Sequence, residues 1–176
     1  MANEATQLRK SARLFGNVLL IFCTVGMLLS VYALYVEIHA EGDSSFKAWC
    51  DINPKMSCSK VFTSKYGKGF GLLEYIVGKT SVLNQPNSIF GMMFYILQII
   101  CAMTVSGSLA SLALGTSIVA NFGSAYLAYI IVYILDDVCV VCVSTYIVNA
   151  VILYCCYQRY YKIVNIVNIA KSKKQK

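Results

Sequence analysis

Two pairs of cysteines are the residues of this sequence best suited to chemistry. Cys139 and Cys142 form a CxxC pair in the stretch DDVCVVC, directly after two carboxylates, and Cys50 and Cys58 lie in a polar stretch nearer the N-terminus. On a helix, residues three apart share a face, and the free N–H groups of the first turn stabilise a thiolate, an effect that the two carboxylates oppose. The pattern predicts dithiol–disulfide exchange, and two static disulfides in an oxidising compartment are the alternative.

The other nucleophilic and metal-binding residues form no competing set. Four further cysteines lie in or near apolar runs, where free cysteine behaves as a small hydrophobe: Cys23, Cys101, Cys155 and Cys156. His39 is the only histidine, so neither a metal-ligand set nor a Ser-His-Asp arrangement can be assembled around it. We therefore predict no metal site and no tightly bound cofactor.

The distribution of charge predicts the elements that position the cysteines. Only 13% of the 176 residues are charged, whereas a soluble domain carries about 25%. Acidic and basic side chains are absent from residues 14–36, 80–135 and 138–158, and a spanning helix needs about 20 apolar residues. The sequence therefore predicts an all-α membrane protein, a four-transmembrane-helix bundle with a cysteine-bearing lumenal loop between helices 1 and 2. The predicted spans are 14–36, 87–106, 109–134 and 137–158.

The basic residues predict the orientation of this bundle. The tails 1–13 and 159–176 hold the positive excess, while the lysines of the loop 37–86 are nearly balanced by acids. The positive-inside rule then places both tails in the cytosol and the loop and the CxxC pair on the lumenal side. The net charge of +7 follows from this topology and requires no nucleic-acid partner. The first span is longer than the apolar core of a signal peptide, so we interpret it as a retained anchor.

Helical spacing predicts a pocket beside the CxxC pair. The spacing i, i+3, i+7 is shared by two sets of residues: Cys139, Cys142 and Tyr146 in the fourth span, and Asn87, Phe90 and Phe94 in the second. A hydroxyl and an amide are suited to hydrogen-bond two carbonyl groups, with aromatic rings flanking a flat ligand. An aromatic stripe of this kind is also typical of an ordinary helix core, and both interpretations stay open.

Two other segments also admit two interpretations each. The apolar stretch of residues 67–79 in the loop is either a small loop core or an anchor that dips into the bilayer interface. The C-terminal sequence KKQK at 173–176 is either a dilysine retrieval signal for the endoplasmic reticulum or a basic flank set by topology.

Five further motifs stand along the chain: CD at 50–51, SCSKVF at 57–62, GKGFGL at 67–72, LNQPNSIFG at 83–91 and CVVCVSTY at 139–146. In their order and spacing, these motifs resemble the vitamin K epoxide reductase family. The resemblance extends from the first predicted span through the fourth. Tyr66 stands where this family usually has tryptophan, and the NQPNS form leans towards the subunit 1-like branch of the family.

The resemblance implies an enzyme of the endoplasmic reticulum membrane that reduces vitamin K epoxide to the quinone and the quinone to hydroquinone. By motif position, Cys139 and Cys142 are the active pair, with Cys142 nearer the substrate. Cys58 attacks Cys139 to resolve the active-site disulfide, which passes oxidation to the Cys50–Cys58 pair. The implied substrate-binding residues are Asn87 and Tyr146, which hydrogen-bond the substrate oxygens, and Phe62, Phe90 and Phe94, which line the pocket.

The resemblance also implies partners. An external dithiol is the reductant, supplied by a lumenal thioredoxin-like reductase that reduces the loop pair, and coumarin-type inhibitors occupy the quinone pocket. Two alternatives stay open on the residues alone. One is a quinone-linked enzyme that forms protein disulfides, since relative reduction potentials decide the direction. The other is a claudin- or tetraspanin-like structural membrane protein, which has no use for the CxxC pair.

Overall fold

The computed structural model describes residues 2–43, 45–53, 55–78, 81 and 84–174, and its regular elements in these ranges are helices. The prediction of an all-α membrane protein is confirmed. The six α-helices are α1 (Ala2–Gly42), α2 (Cys58–Phe62), α3 (Leu73–Val77), α4 (Asn87–Met103), α5 (Gly107–Tyr133) and α6 (Val140–Lys174). A 3-10 turn at Gly69–Gly71 precedes α3.

Four of these helices form the bundle. α1, α5 and α6 are long and apolar enough to cross a membrane, and α4 is a shorter apolar helix of 17 residues, at the lower end of the range for a spanning helix. α1 packs against α4 and α6, and α5 packs against α6 and α4. α1 extends beyond its predicted span at both ends and α6 extends beyond its span at the C-terminal end, whereas α4 ends at Met103, inside its predicted span. The span bounds themselves stay predictions.

Buried polar side chains connect the helices in the middle of the bundle. The Tyr95 hydroxyl donates to the Asn149 side-chain oxygen (2.9 Å), and the Asn149 amide donates to the Ser124 hydroxyl (2.9 Å). These bonds join α4, α6 and α5 where water does not satisfy polar groups. On α1, Gly26 faces the Tyr95 ring so closely that an added Cβ would overlap it. The surrounding inner core contains the four cysteines expected to act as hydrophobes, all free and buried: Cys23, Cys101, Cys155 and Cys156.

Arg159 closes the end of the bundle that carries both termini. Its side chain is buried in α6, not in a free tail. The guanidinium donates hydrogen bonds to the carbonyls of Cys101 (2.9 Å), Ala102 (2.8 Å) and Thr104 (2.6 Å). These carbonyls lie at the end of α4, where they have no partner within the helix. One cation therefore caps α4 and ties it to α6.

The opposite end, which we call the loop face, consists of the described residues within 43–86 together with residues 134–139. Three consecutive residues, Gly69, Phe70 and Gly71, have positive φ angles of 53°, 59° and 69°. A Cβ at Gly71 would overlap the Tyr66 ring, so this turn requires glycine there. The turn places the Phe70 ring against Phe90 of α4, at a centroid distance of 5.7 Å.

The side chains of residues 67–79 that the structure describes include both half-buried and exposed ones, so they do not decide between the two interpretations of this segment. Phe70 is half-buried, while Leu72 and Tyr75 are exposed. The interfacial anchor therefore stays a prediction. Lys79 of that segment, Leu83 of the LNQPNS motif and the last two residues of the KKQK sequence lie outside the described residues.

Candidate active site

The Cys50–Cys58 disulfide closes a short loop whose shape is set by Asp51. The carboxylate of Asp51 accepts four hydrogen bonds, from the Ala48 N–H (2.9 Å), the Ser57 hydroxyl (3.0 Å), the Ser59 N–H (3.1 Å) and the Ser59 hydroxyl (2.6 Å). Ser57 also caps α2 by accepting the Lys60 N–H. The CD and SCS motifs are thus joined through one carboxylate, which brings the two sulfurs together.

Asp51 does this as an anion. Burial raises the pKa of its carboxyl group, but the bonds from Ser59, Ala48 and Ser57 outweigh burial and hold the pKa below its usual range. The Asp51 carboxylate and the two sulfurs lie within 4.8 Å of one another, as a metal-ligand set would. The two sulfurs are bonded to each other and the carboxylate accepts four hydrogen bonds, so all three groups already have partners within the loop.

The second cysteine pair meets the first at the start of α6. Cys139 lies directly before this helix, and its sulfur accepts a hydrogen bond from the Cys142 N–H (3.2 Å), as a helix N-cap does. The Cys139 sulfur is 3.6 Å from the sulfur of Cys58, in van der Waals contact. Both Cys139 and Cys142 are free thiols, the first buried and the second half-buried. A thiol therefore touches a disulfide, which is the geometry that disulfide exchange requires.

Three contacts hold residues 55–60, which lead into α2, against the residues that precede α6. The Val138 N–H donates to the Lys55 carbonyl (3.0 Å). Lys55 and Asp136 form an ion pair of 3.3 Å in which both side chains are about four-fifths exposed, at 79% and 83%. Lys60 of α2 forms a second ion pair with Asp137, whose side chain is fully buried while that of Lys60 is 58% exposed. These contacts position Cys58 beside Cys139.

The predicted substrate-binding residues divide into two groups. Phe62 and Tyr146 pack against the cluster that contains Cys50, Cys58 and Cys139. Phe94 instead packs against the inner core, with its ring 5.3 Å from that of Tyr95, and Phe90 contacts Phe70 of the loop turn. Phe62 and Tyr146 thus lie with the redox cysteines, whereas Phe90 and Phe94 belong to neighbouring contacts.

Asn87 has a structural partner at each end of its amide group. Its nitrogen donates to the Tyr66 carbonyl (2.6 Å), and its oxygen accepts the Phe70 N–H (2.8 Å). The Asn87 backbone N–H also donates to the Gly67 carbonyl (2.8 Å). Asn87 therefore holds the turn at 66–70 on the start of α4, and its role toward substrate stays a prediction.

Three residues shape this site through contacts that the sequence did not predict: Asp51, Lys60 and Asp137. The sequence did contain a pattern that could have indicated the role of Asp51. An aspartate that is followed a few residues later by serines is typical of a carboxylate that organises a turn. No local pattern indicates the Lys60–Asp137 pair, since its members are distant in sequence and meet only in the folded chain.

Comparisons with known proteins show the family of this chain. The model of the vitamin K epoxide reductase family matches residues 17–157. The chain is 40% identical over 144 residues to vitamin K epoxide reductase complex subunit 1 of Rattus norvegicus, covering 82% of this chain and 89% of that protein. It is 43% identical over 145 residues to the protein of the same name from Mus musculus, with the same coverage of both chains. The chain, with its two cysteine pairs in contact, belongs to the vitamin K epoxide reductase family.

Proposed function

We propose that this chain is a membrane thiol–disulfide oxidoreductase that reduces vitamin K 2,3-epoxide to the quinone and the quinone to hydroquinone. The observation that carries the proposal is the 3.6 Å contact between the Cys139 thiol and the Cys50–Cys58 disulfide, with Cys142 in the following helical turn. The rat and mouse relatives are named for this activity. A helical bundle that presents a dithiol at its apolar margin suits a substrate that stays dissolved in the bilayer.

Each turnover consumes one dithiol. The Cys139–Cys142 pair gives two electrons and two protons to the epoxide, which yields quinone and water, or to the quinone, which yields hydroquinone. Either reaction leaves a Cys139–Cys142 disulfide. The Cys58 thiolate then attacks the Cys139 sulfur and releases Cys142, and the Cys50 thiolate attacks Cys58 and releases Cys139. The loop pair ends oxidised and the CxxC pair is again a dithiol.

The arrangement in this structure corresponds to the end of that sequence. The loop pair is bonded, Cys139 and Cys142 are free, and the Cys139 sulfur is in contact with the sulfur of Cys58. An external dithiol must next reduce the Cys50–Cys58 bond. We assign that step to a lumenal thioredoxin-like protein, in an endoplasmic reticulum membrane that the chain crosses with both termini in the cytosol.

The substrate site of this proposal lies beside Cys142. Tyr146 is one helical turn further along α6 and packs on the same cluster, where its hydroxyl is suited to hydrogen-bond a substrate oxygen. Asn87 supplies the second hydrogen bond when the turn at 66–70 releases its amide. Phe62, Phe90 and Phe94 line the pocket around the quinone ring of the substrate. Coumarin-type inhibitors bind at this place. No tightly bound cofactor takes part, because the substrate is the redox-active organic molecule.

The test is turnover of vitamin K epoxide by the purified full-length protein in lipid nanodiscs, with quinone and hydroquinone measured separately. We expect Cys142→Ala to abolish both products. Cys155→Ala is the matched control, because it removes a buried free thiol of the inner core and leaves both redox pairs intact. If the Cys142→Ala protein forms product at the rate of the unmodified protein, the CxxC pair is not the reductant.

The relay has its own test. A Cys58→Ser protein should keep turnover with a small membrane-permeant dithiol, which reaches the CxxC pair directly, and should lose turnover with a thioredoxin-like protein donor. Equal loss with both donors would contradict the relay while leaving the reductase activity in place.

A further inference from the structure

Trp49 is an exposed aromatic side chain on a fixed backbone. It is the only tryptophan of the chain, and its side chain is 97% exposed although both of its neighbours, Ala48 and Cys50, are buried. The Asp51 N–H donates to the Ala48 carbonyl (3.0 Å), and the Asp51 carboxylate accepts the Ala48 N–H (2.9 Å). The disulfide fixes the other side. The indole is thus held outward by a closed turn.

The position of this turn along α1 gives the depth of the indole. Trp49 lines a surface cleft together with Tyr32 and Tyr35 of α1. The uncharged run of α1 ends at Val36, directly before Glu37. At about 1.5 Å per residue, Tyr32 lies about 6 Å inside that end and Tyr35 lies almost at it. The indole therefore lies at the level where the hydrocarbon core of the bilayer gives way to headgroups.

We propose that Trp49 inserts into the lipid headgroup region on the loop face and anchors the Cys50-bearing turn to the membrane. An indole has an apolar body and one N–H donor, which suits it to the boundary between acyl chains and phosphate or ester oxygens. Lys47 lines the same cleft, where its ammonium group meets the phosphates. Tyr35 is 49% exposed beside it and extends the aromatic surface.

The depth of the residue favours lipid over a soluble protein as its partner. Tyr32 and Tyr35 belong to a helix that is long and apolar enough to cross a membrane, and exposed apolar side chains continue from Tyr35 along α1 through Val31 to Leu28. A lumenal protein that covered this indole would have to displace headgroups. The proposal concerns where the turn lies and does not depend on the reaction that the cysteines perform.

The experiment uses Trp49 as its own probe, because no other tryptophan contributes to the fluorescence. The full-length protein is placed in phosphatidylcholine nanodiscs whose acyl chains carry bromine near the headgroup or near the bilayer centre. We expect a blue-shifted emission, strong quenching by the shallow bromines, weaker quenching by the deep ones, and little quenching by aqueous acrylamide.

Two reference proteins calibrate the depth in a Trp49→Phe background. Leu28→Trp places the indole on an exposed position in the middle of α1, and Lys65→Trp places it on an exposed position of the loop. The proposal holds if Trp49 falls between these references, with the shallow bromines most effective. It is overturned if Trp49 behaves as Lys65→Trp does, with red emission and full quenching by acrylamide, which would assign the indole to water or to a soluble protein partner.

Discussion

The Lys60–Asp137 ion pair gives the sharpest test of how the loop is positioned. Lys60→Met keeps most of the aliphatic side chain and removes the charge, so the buried Asp137 carboxylate loses its cation. We expect α2 to detach more easily from the residues before α6, and Cys58 to spend less time in contact with Cys139. Electron transfer through the loop should slow, while the CxxC pair itself stays intact.

The structure sets the size of this effect. Breaking a fully buried pair costs about 3–5 kcal/mol, and an exposed pair contributes about 0–1 kcal/mol. Asp137 is fully buried and Lys60 is 58% exposed, so water reaches only one partner. We expect an intermediate cost of about 2 kcal/mol on docking of the loop. That free energy corresponds to about a 30-fold loss in the rate of a step that requires the docked loop.

The assay compares two electron donors in nanodiscs. Turnover with a thioredoxin-like protein donor passes through Cys58, whereas turnover with a small membrane-permeant dithiol bypasses it. Lys60→Met should slow only the first. The double variant Lys60→Met/Asp137→Asn should recover part of the loss, because it removes the unpaired carboxylate as well. The matched control is Lys55→Met, which breaks the exposed ion pair to Asp136 between the same two segments and should cost less than about 1 kcal/mol.

Two results would refute this reasoning. The first is that Lys60→Met slows both donors equally, which would mean that the substitution damages the CxxC site and does not act through docking. The second is that Lys60→Met and Lys55→Met have the same small effect, which would mean that burial of Asp137 does not strengthen its ion pair.

Three further predictions concern the bundle and the loop. Gly26→Ala should destabilise the protein by about 1–3 kcal/mol in thermal unfolding, because the new methyl group overlaps the Tyr95 ring, whereas Gly115→Ala, which has no neighbour within 4 Å, should not. The folded-state pKa of Asp51 lies below its unfolded value of about 3.9. The Asp51 carboxylate therefore contributes its full stabilisation above about pH 3.9, and this stabilisation is lost as the pH falls through the folded-state pKa. The free energy of unfolding, measured from about pH 6 to pH 3, should depend less on pH in Asp51→Asn than in the unmodified protein. Asn87→Ala should lower the thermal stability of the substrate-free protein as well as raise KM, because both bonds to the turn at 66–70 are lost; a raised KM with unchanged stability would show that the amide serves substrate alone.

The sequence predicted the helical bundle well, because charge is expensive in lipid and its absence marks each crossing. It did not predict where the helices end. α1 continues from Val36 to Gly42 through Glu37 and Glu41, since a helix does not need to stop where the hydrocarbon stops. Hydropathy reports the surroundings of a residue, whereas helix ends depend on capping and on the chain that follows.

The contact between the cysteine pairs depends on features that local patterns do not encode. The CxxC spacing predicted that Cys139 and Cys142 share the first turn of a helix, and the Cys142 N–H donates to the Cys139 sulfur at the start of α6. Cys58 and Cys139 are 81 residues apart, and the Lys60–Asp137 ion pair that accompanies their contact also joins residues distant in sequence. Asn87 is a different case. Its helical spacing indicated a pocket, but its side-chain amide is hydrogen-bonded to the turn at 66–70, whose conformation could not be predicted from the sequence.

The shortness of α4, capped by Arg159, has a consequence for the membrane in which the protein resides. Its 17 residues span about 25 Å, and the buried guanidinium of Arg159 covers its last carbonyls. The bilayer of the endoplasmic reticulum has a hydrocarbon thickness of about 27 Å, and the plasma membrane about 32–33 Å. In the thicker membrane, hydrophobic mismatch would stretch α4 or thin the surrounding lipid, at a cost of a fraction of a kcal/mol for each ångström. The length of this one helix thus matches a thinner bilayer better than a thicker one.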